Sequence, residues 1–83
     1  MKVETNAFND IVYTDDNDEL HRDDGPAFIY SDGELQWWHH GQLHCRTGPA
    51  VITRTGTKEF WIYGKPVTEN EFNFFYKIHE PRN

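Results

Sequence analysis

The sequence predicts a mainly β chain: an antiparallel meander of short hairpin repeats closed by one C-terminal helix. Three observations carry that expectation. A 23-residue unit occurs twice without a gap, glycines fall at turn spacing inside each copy, and a helix N-cap signature follows the second copy directly. Leu20–Gln42 is followed by Leu43–Lys65, and nine of the 23 aligned positions are identical (Leu20/Leu43, His21/His44, Gly25/Gly48, Pro26/Pro49, Ala27/Ala50, Ile29/Ile52, Gly33/Gly56, Trp38/Trp61, Gly41/Gly64). Repetition at this period means stacked supersecondary units that share a core. A residue present in both copies therefore reads as architecture before it reads as an active site.

The elements follow in chain order. Ile11-Val12-Tyr13-Thr14 has strand composition and Asp15-Asp16-Asn17-Asp18 turn chemistry, while Glu19-Leu20-His21 aligns with Gln42-Leu43-His44. Residues 8–19 are thus a partial capping unit, with Asp18 standing where Gly41 and Gly64 stand. In repeat one (20–42), Ala27–Tyr30 is a strand, Ser31-Asp32-Gly33 a turn with Gly at positive φ, and Glu34–His39 the returning strand. His40-Gly41 then makes a two-residue hairpin into repeat two (43–65). This register sets Trp38 opposite Leu43, Trp61 opposite Pro66 and Phe60 opposite Val67. The two Trp pairs are the expected core seam, leaving Trp37, His39, Phe60 and Ile62 on the other face. That second face is either covered, by strong twist or by a flanking segment such as Ala7-Phe8, or open to a partner. The total is about five to seven short strands.

A helix over 68–79 completes the chain. Thr68 is its N-cap, Glu71 closes the capping box, and Val67 staples against Phe72. Phe72, Phe75, Tyr76 and His79 share one stripe suited to closing the open end of the sheet, Phe74 and Ile78 form a narrower one, and Glu80-Pro81 ends the helix.

Eighty-three residues make a single domain, 1–83, with a small core that the thirteen aromatics must supply. Cys45 is the one cysteine, so no intrachain disulfide forms, and a reducing, cytoplasmic setting is expected. The first residues do not resemble a signal peptide, and no apolar run approaches transmembrane length. Charge is uneven: residues 10–34 carry a net −8 and residues 35–83 a net +2, within a total of −6. The turn aspartates can be read as backbone acceptors that also confer solubility, or as an acidic pole steering toward a basic protein surface. Direct nucleic-acid binding is disfavoured, because Arg46, Arg54, Lys58 and Lys65 make only a weak basic patch.

Few residues point to catalysis or to metal. His39, His40 and His44 lie within six residues, and the register puts His39 and His44 on one face, but no third ligand is apparent. His21 and His44 recur between copies, which favours a hydrogen-bonding or stacking role. Asp15–Glu19 lacks the glycine and terminal glutamate of a calcium loop. No nucleophile stands beside a spaced base, and no Gly-rich phosphate loop precedes a helix. No enzyme activity, metal or cofactor is expected.

The run Leu20-His21-Arg22-Asp23-Asp24-Gly25-Pro26-Ala27, then Asp32-Gly33, Trp37-Trp38 and Gly41-Gln42-Leu43-His44, resembles the "LHR-dGPA…dG…WW…nGklH" repeats of small bacteriophage and large-virus proteins. Those are similar to the MORN repeat class and to MORN-like bacterial antitoxins. The resemblance covers about residues 17–72, and Gly64–Phe72 resembles the way such arrays end. Copy two departs from it by replacing His-Arg-Asp-Asp with His44-Cys45-Arg46-Thr47. The resemblance implies a scaffold or binder, and the lipid association of some MORN proteins is unsupported without a polybasic stretch.

Together these features lead to a phage- or virus-encoded, non-enzymatic binding protein. It would inhibit a nucleic-acid-handling host defence enzyme or a toxin by occluding a basic surface in the host cytoplasm. The expected contact residues are Asp15, Asp16, Asp18, Glu19, Asp23, Asp24, Tyr30, Trp37, His39 and Phe74. The competing readings are a self-associating structural module, and a nucleotide or nucleic-acid binder stacking bases on its aromatics.

Overall fold

The computed structural model describes residues 1–79, with side chains as far as Tyr76. It is mainly β, as expected, with one C-terminal helix. The strands are β1 (Lys2–Thr5), β2 (Ile11–Thr14), β3 (Phe28–Ile29), β4 (Leu35–Gln36), β5 (Trp38–His39), β6 (Gln42–Leu43), β7 (Val51–Ile52), β8 (Lys58–Ile62) and β9 (Lys65–Val67), followed by α1 (Glu69–His79). Seven strands form an antiparallel sheet in the order β1-β2-β3-β4-β7-β8-β9, and β5-β6 is a separate ribbon. The count exceeds the expected five to seven for two reasons. The exposed strand β1 pairs with β2, and the return strand of repeat one breaks at Trp37 into β4 and β5.

Two turn types build the meander. At Asn6, Asp15, Tyr30 and Thr53 the residue's carbonyl accepts from the amide three positions on, and its own amide donates to the carbonyl four positions on. The last loop residue is left-handed in each case: Asn9 (φ 65°), Asp18 (62°), Gly33 (101°) and Gly56 (91°). This is the three-residue hairpin with a bulge. His40-Gly41 and Tyr63-Gly64 are two-residue turns with both residues left-handed, at φ 46° and 82°, and 47° and 83°. Their register is the predicted one, with Trp38 opposite Leu43, Trp61 opposite Pro66 and Phe60 opposite Val67.

The 23-residue translation is visible in the hydrogen bonds. Ala27 and Ala50 donate to the carbonyls of Gln36 and Glu59, both at 2.8 Å. The Trp37 amide donates back to Ala50 O at 2.7 Å and its carbonyl accepts from His44 at 3.0 Å, so the chain changes neighbours at Trp37. Tyr13 makes the same two bonds, to Ala27 O and from His21, and so stands in Trp37's place in the capping unit.

The core is not built on the two Trp pairs. Ala27, Ala50, Val51, Phe60 and Phe72 are buried, whereas Trp38 and Trp61 are only half-buried. Their indole N–H groups need acceptors and find them at the surface, on Gln36 Oε1 (3.0 Å) and Glu59 Oε1 (3.3 Å). Phe60 carries no polar atom and packs on Phe72 of α1 with ring centroids 5.0 Å apart. The Ala7-Phe8 segment covers nothing: Phe8 is 77% exposed in the β1–β2 turn. α1 begins with the predicted capping box, Thr68 N to Glu71 Oε1 (2.8 Å) and Glu71 N to Thr68 Oγ1 (3.0 Å). Phe72 is buried, Phe75 and Tyr76 are half-buried, and Phe74 is 67% exposed. The side chains of Ile78 and His79, and the Glu80-Pro81 stop, lie outside the described residues.

Gly41→Val and Gly64→Val should each cost about 1 kcal/mol or more, because a β-branched residue is strained at positive φ. Gly48→Ala meets nothing within 4 Å and should be near neutral, whereas Gly25→Ala places its Cβ 3.0 Å from Arg22 Cζ and should destabilise. Thermal melts of the four purified variants check this ranking.

Candidate functional site: an aromatic cleft between two repeat loops

The recurring Leu-His pair clasps the next hairpin turn. His21 Nδ1 accepts the His40 amide at 3.0 Å, and Leu20 O accepts the Gly41 amide at 2.8 Å. One repeat later, His44 Nδ1 accepts the Tyr63 amide at 3.0 Å and Leu43 O the Gly64 amide at 2.8 Å. Each clasping imidazole also stacks on the ring whose amide it holds: His21 on His40 at 4.0 Å and 17°, His44 on Tyr63 at 3.9 Å and 13°. Because Nδ1 accepts, the ring proton sits on Nε2. His21 Nε2 donates to Asp23 Oδ1 at 3.0 Å, and His44 Nε2 faces the Tyr76 hydroxyl at 3.4 Å. His21 and His44 therefore have the architectural role that their recurrence implies.

His39 joins the two clasps, with its ring 4.9 Å from His21 and 5.9 Å from His44. Burial lowers its pKa, helped by His21 and His40, and burial followed by the neighbouring His39 lowers that of His44. These rings favour the neutral form.

The two repeats differ at the loop after the clasp. Arg22 lays its guanidinium over the Tyr13 ring, 4.0 Å from the centroid, with Nε donating to Asp24 (2.9 Å) and Nη1 to Pro26 O (3.3 Å). Gly25 permits that close approach. In repeat two Cys45 and Thr47 replace Arg22 and Asp24, and a Sγ to Oγ1 contact of 3.7 Å is all that remains of the pair. Between the two loops lies a cleft of about 640 Å³, bounded by Asp23, Asp24, Trp37, His39, Cys45 and Tyr63 among others.

Of the predicted contact residues, Asp23, Asp24, Trp37 and His39 meet at this cleft. The others are dispersed. Asp16 and Asp18 are paired with the N-terminal amine and Lys2 at the β1 edge, and Glu19 lies beside Gly41. Tyr30 stacks on Phe28 at 4.1 Å, and Phe74 borders a separate groove with Ile62, Pro66 and Val67. Asp15 has a structural role: it is buried, Oδ1 accepts the Asn17 and Glu19 amides, and Oδ2 accepts from His40 Nδ1 at 2.7 Å. The His40 bond, with the two amides, holds its carboxyl down at about 2 against the opposing effect of burial.

Among the described residues no third ligand joins His39 and His44; instead His21, His39 and His40 bring ligand atoms within 4.8 Å of one another, as do Asp15, Glu19 and His40. Both His21 nitrogens and His40 Nδ1 already hold hydrogen bonds, so coordination there would break the clasp or the turn. Sequence reasoning missed Tyr63 and the Cys45–Thr47 gap as parts of the site. The gap was legible as the departure of copy two from the motif.

No protein family, curated protein or solved structure matches the chain. Among the described residues, no helix is long and apolar enough to cross a membrane.

Replacing His44 with Ala strands the Tyr63 amide and should cost about 1–3 kcal/mol, whereas His44→Asn keeps an acceptor near the Nδ1 position and should cost less. The His44 pKa lies below its ordinary value of 6.5 in the folded chain, so the unfolded chain binds that proton more tightly. The clasp's stability is full above that value and is lost as pH falls below it. Melting midpoints of wild type and His44→Asn between about pH 7.5 and 5 check this, the variant showing the smaller decline.

Proposed function

We propose that the chain is a small acidic, non-enzymatic protein that docks on the basic surface of a protein partner. The phage-type resemblance favours a host defence enzyme or toxin, inhibited by occlusion. The observation that carries this reading is the exposure of the acidic turns: the side chains of Asp16, Asp18, Asp23 and Asp24 are 99%, 73%, 74% and 82% accessible. The pairings of Asp16 with the N-terminus and of Asp18 with Lys2 are surface contacts of small worth, and Asp23 and Asp24 hold the less exposed His21 and Arg22 from the solvent side, so a partner's cations can reach all four carboxylates. Asp10 and Asp15 have lowered pKa values, Asp10 chiefly through the Ser31 amide, which suits fixed anions rather than a general acid.

Self-association is the second reading. Phe74 is 67% exposed beside an apolar groove, and a concentration-dependent oligomer abolished by Phe74→Glu would favour it.

The test is kinetic. With a partner isolated by affinity pull-down, replacing Asp16, Asp18, Asp23 and Asp24 together by Asn should slow association and flatten its salt dependence, most visibly at low ionic strength. The melting midpoint should move little, since exposed pairs are worth under about 1 kcal/mol each. Asp15 is left intact because its carboxylate holds a turn. An unchanged association rate at low salt sinks the steering role.

A further inference from the structure

We infer that the cleft over Trp37 is a receptor for an arginine side chain presented by a protein partner. This rests on the docking reading above and assigns it a contact. The template is internal to the molecule. In the capping unit and repeat one, an aromatic ring (Tyr13), a guanidinium (Arg22), a carboxylate (Asp24), a carbonyl (Pro26) and a glycine (Gly25) form one cradle, with the cation 4.0 Å from the ring centroid. Trp37 makes the backbone bonds of Tyr13 one repeat later, and the chain continues with the same Gly48-Pro49. What is missing is the guanidinium. Cys45 stands in Arg22's place, and a Cβ built on Gly48 meets nothing within 4 Å, whereas one on Gly25 meets Arg22 Cζ at 3.0 Å.

The surroundings suit that occupant. An indole face is a stronger cation–π platform than the phenol ring that Arg22 uses. Thr47 does not replace the Asp24 carboxylate, but Asp23 and Asp24 reach the cleft from the neighbouring loop, 74% and 82% exposed. Asp23 spends Oδ1 on His21, and Asp24 takes Arg22 Nε on its own Oδ1. Each keeps a second oxygen for an incoming donor. Tyr63 and His39 supply further aromatic wall; Arg46 also borders the cleft, and its like charge opposes the occupant, so the ring and the two carboxylates must outweigh it. A planar fork of N–H donors uses the ring and the two carboxylates together, which a point-charge ammonium does not.

The experiment titrates Nα-acetyl-arginine amide into the intact protein and follows the indole N–H resonances by NMR, with the acetyl-lysine amide and adenosine monophosphate as parallel probes. The arginine probe should move the Trp37 signal more than those of Trp38 and Trp61, and should bind more tightly than either comparison probe. Cys45→Arg with Thr47→Asp supplies an internal guanidinium and carboxylate, as in repeat one, and should weaken the arginine probe by about tenfold or more without lowering the melting midpoint. If that double variant does not fold, Trp37→Leu reads the same loss. Equal binding of the lysine probe, stronger binding of the nucleotide, or arginine binding that survives in a folded plugged or Trp37→Leu variant overturns the assignment. Arginine binding lost on plugging, in a protein whose association rate ignores neutralisation of Asp16 and Asp18, which lie outside the cleft, supports the cleft while rejecting charge steering. The two readings therefore fail separately.

Discussion

The fold depends on an imidazole nitrogen that accepts a backbone amide from a turn. His40 and Tyr63 are non-glycine residues in the left-handed region, at φ 46° and 47°, and their amides point back along the array rather than across their own hairpins. Left alone, each would be a strained residue with an unsatisfied donor close to the core. The histidine nineteen residues earlier removes the second cost by accepting the amide and offsets the first by stacking on the ring. Leucine carbonyls take the adjacent glycine amides, so each turn is fastened at two points to the preceding repeat. The same nitrogen fixes the tautomer, and the remaining ring proton is then directed to Asp23 in one copy and to Tyr76 in the other. The β-array is thereby linked to α1 through one titratable ring.

The sequence made this architecture legible to the extent that local rules decide it. The register at His40-Gly41 and Tyr63-Gly64, the positive φ at Gly33 and Gly56, Asp18 in the glycine's place and the capping box at Thr68 all follow from residues within a few positions of one another. Recurrence separated His21 and His44 from the other histidines. The facing of the ribbon was not legible in the same way. Alternation places Trp61 and Phe60 on opposite faces but does not say which face the helix will cover, and size alone favoured Trp. Hydrogen-bonding capacity decided otherwise: the indole N–H stays near surface carboxylate and amide oxygens, and the smaller, wholly apolar Phe60 goes under Phe72. The break at Trp37 was equally hidden, since it arises from bonds to Ala50 and His44 in the next repeat.

The candidate site lies where the two copies differ. Positions shared by both copies are consumed by the clasp, the turns and the buried alanines, and hold little chemistry to spare. Chemistry becomes available where the copies diverge. Replacing Arg22 by Cys45 and Asp24 by Thr47 removes a large cation and its counterion from a frame otherwise kept, and the result is open space beside an aromatic ring instead of a collapsed loop. A lone chain with one such substitution would be hard to read. Here the neighbouring repeat displays the filled form.

The acidic residues divide by the same reasoning into those the fold uses and those it leaves at the surface. Asp10 accepts the Ser31 amide at 2.7 Å across 21 residues, and Asp15 binds two turn amides and His40; both are buried and both have lowered pKa values. Asp16 and Asp18 make only exposed pairings, and Asp23 and Asp24, though they hold His21 and Arg22, keep carboxylates that are 74% and 82% accessible. Charges so exposed act mainly on encounter rate and orientation, being screened within about 10 Å at moderate salt. Lasting affinity has to come from surfaces that exclude water, and on this small molecule those are the aromatic cleft at Trp37 and the groove at Phe74. The cleft is lined by Asp23 and Asp24 together with Arg22 and Arg46, and the groove by Lys65 and Glu71, so neither lining has an acidic surplus, but the cleft alone holds two of the exposed carboxylates. In the proposed docking reading, steering and retention would thus converge on the loops between the two repeats rather than on the helix.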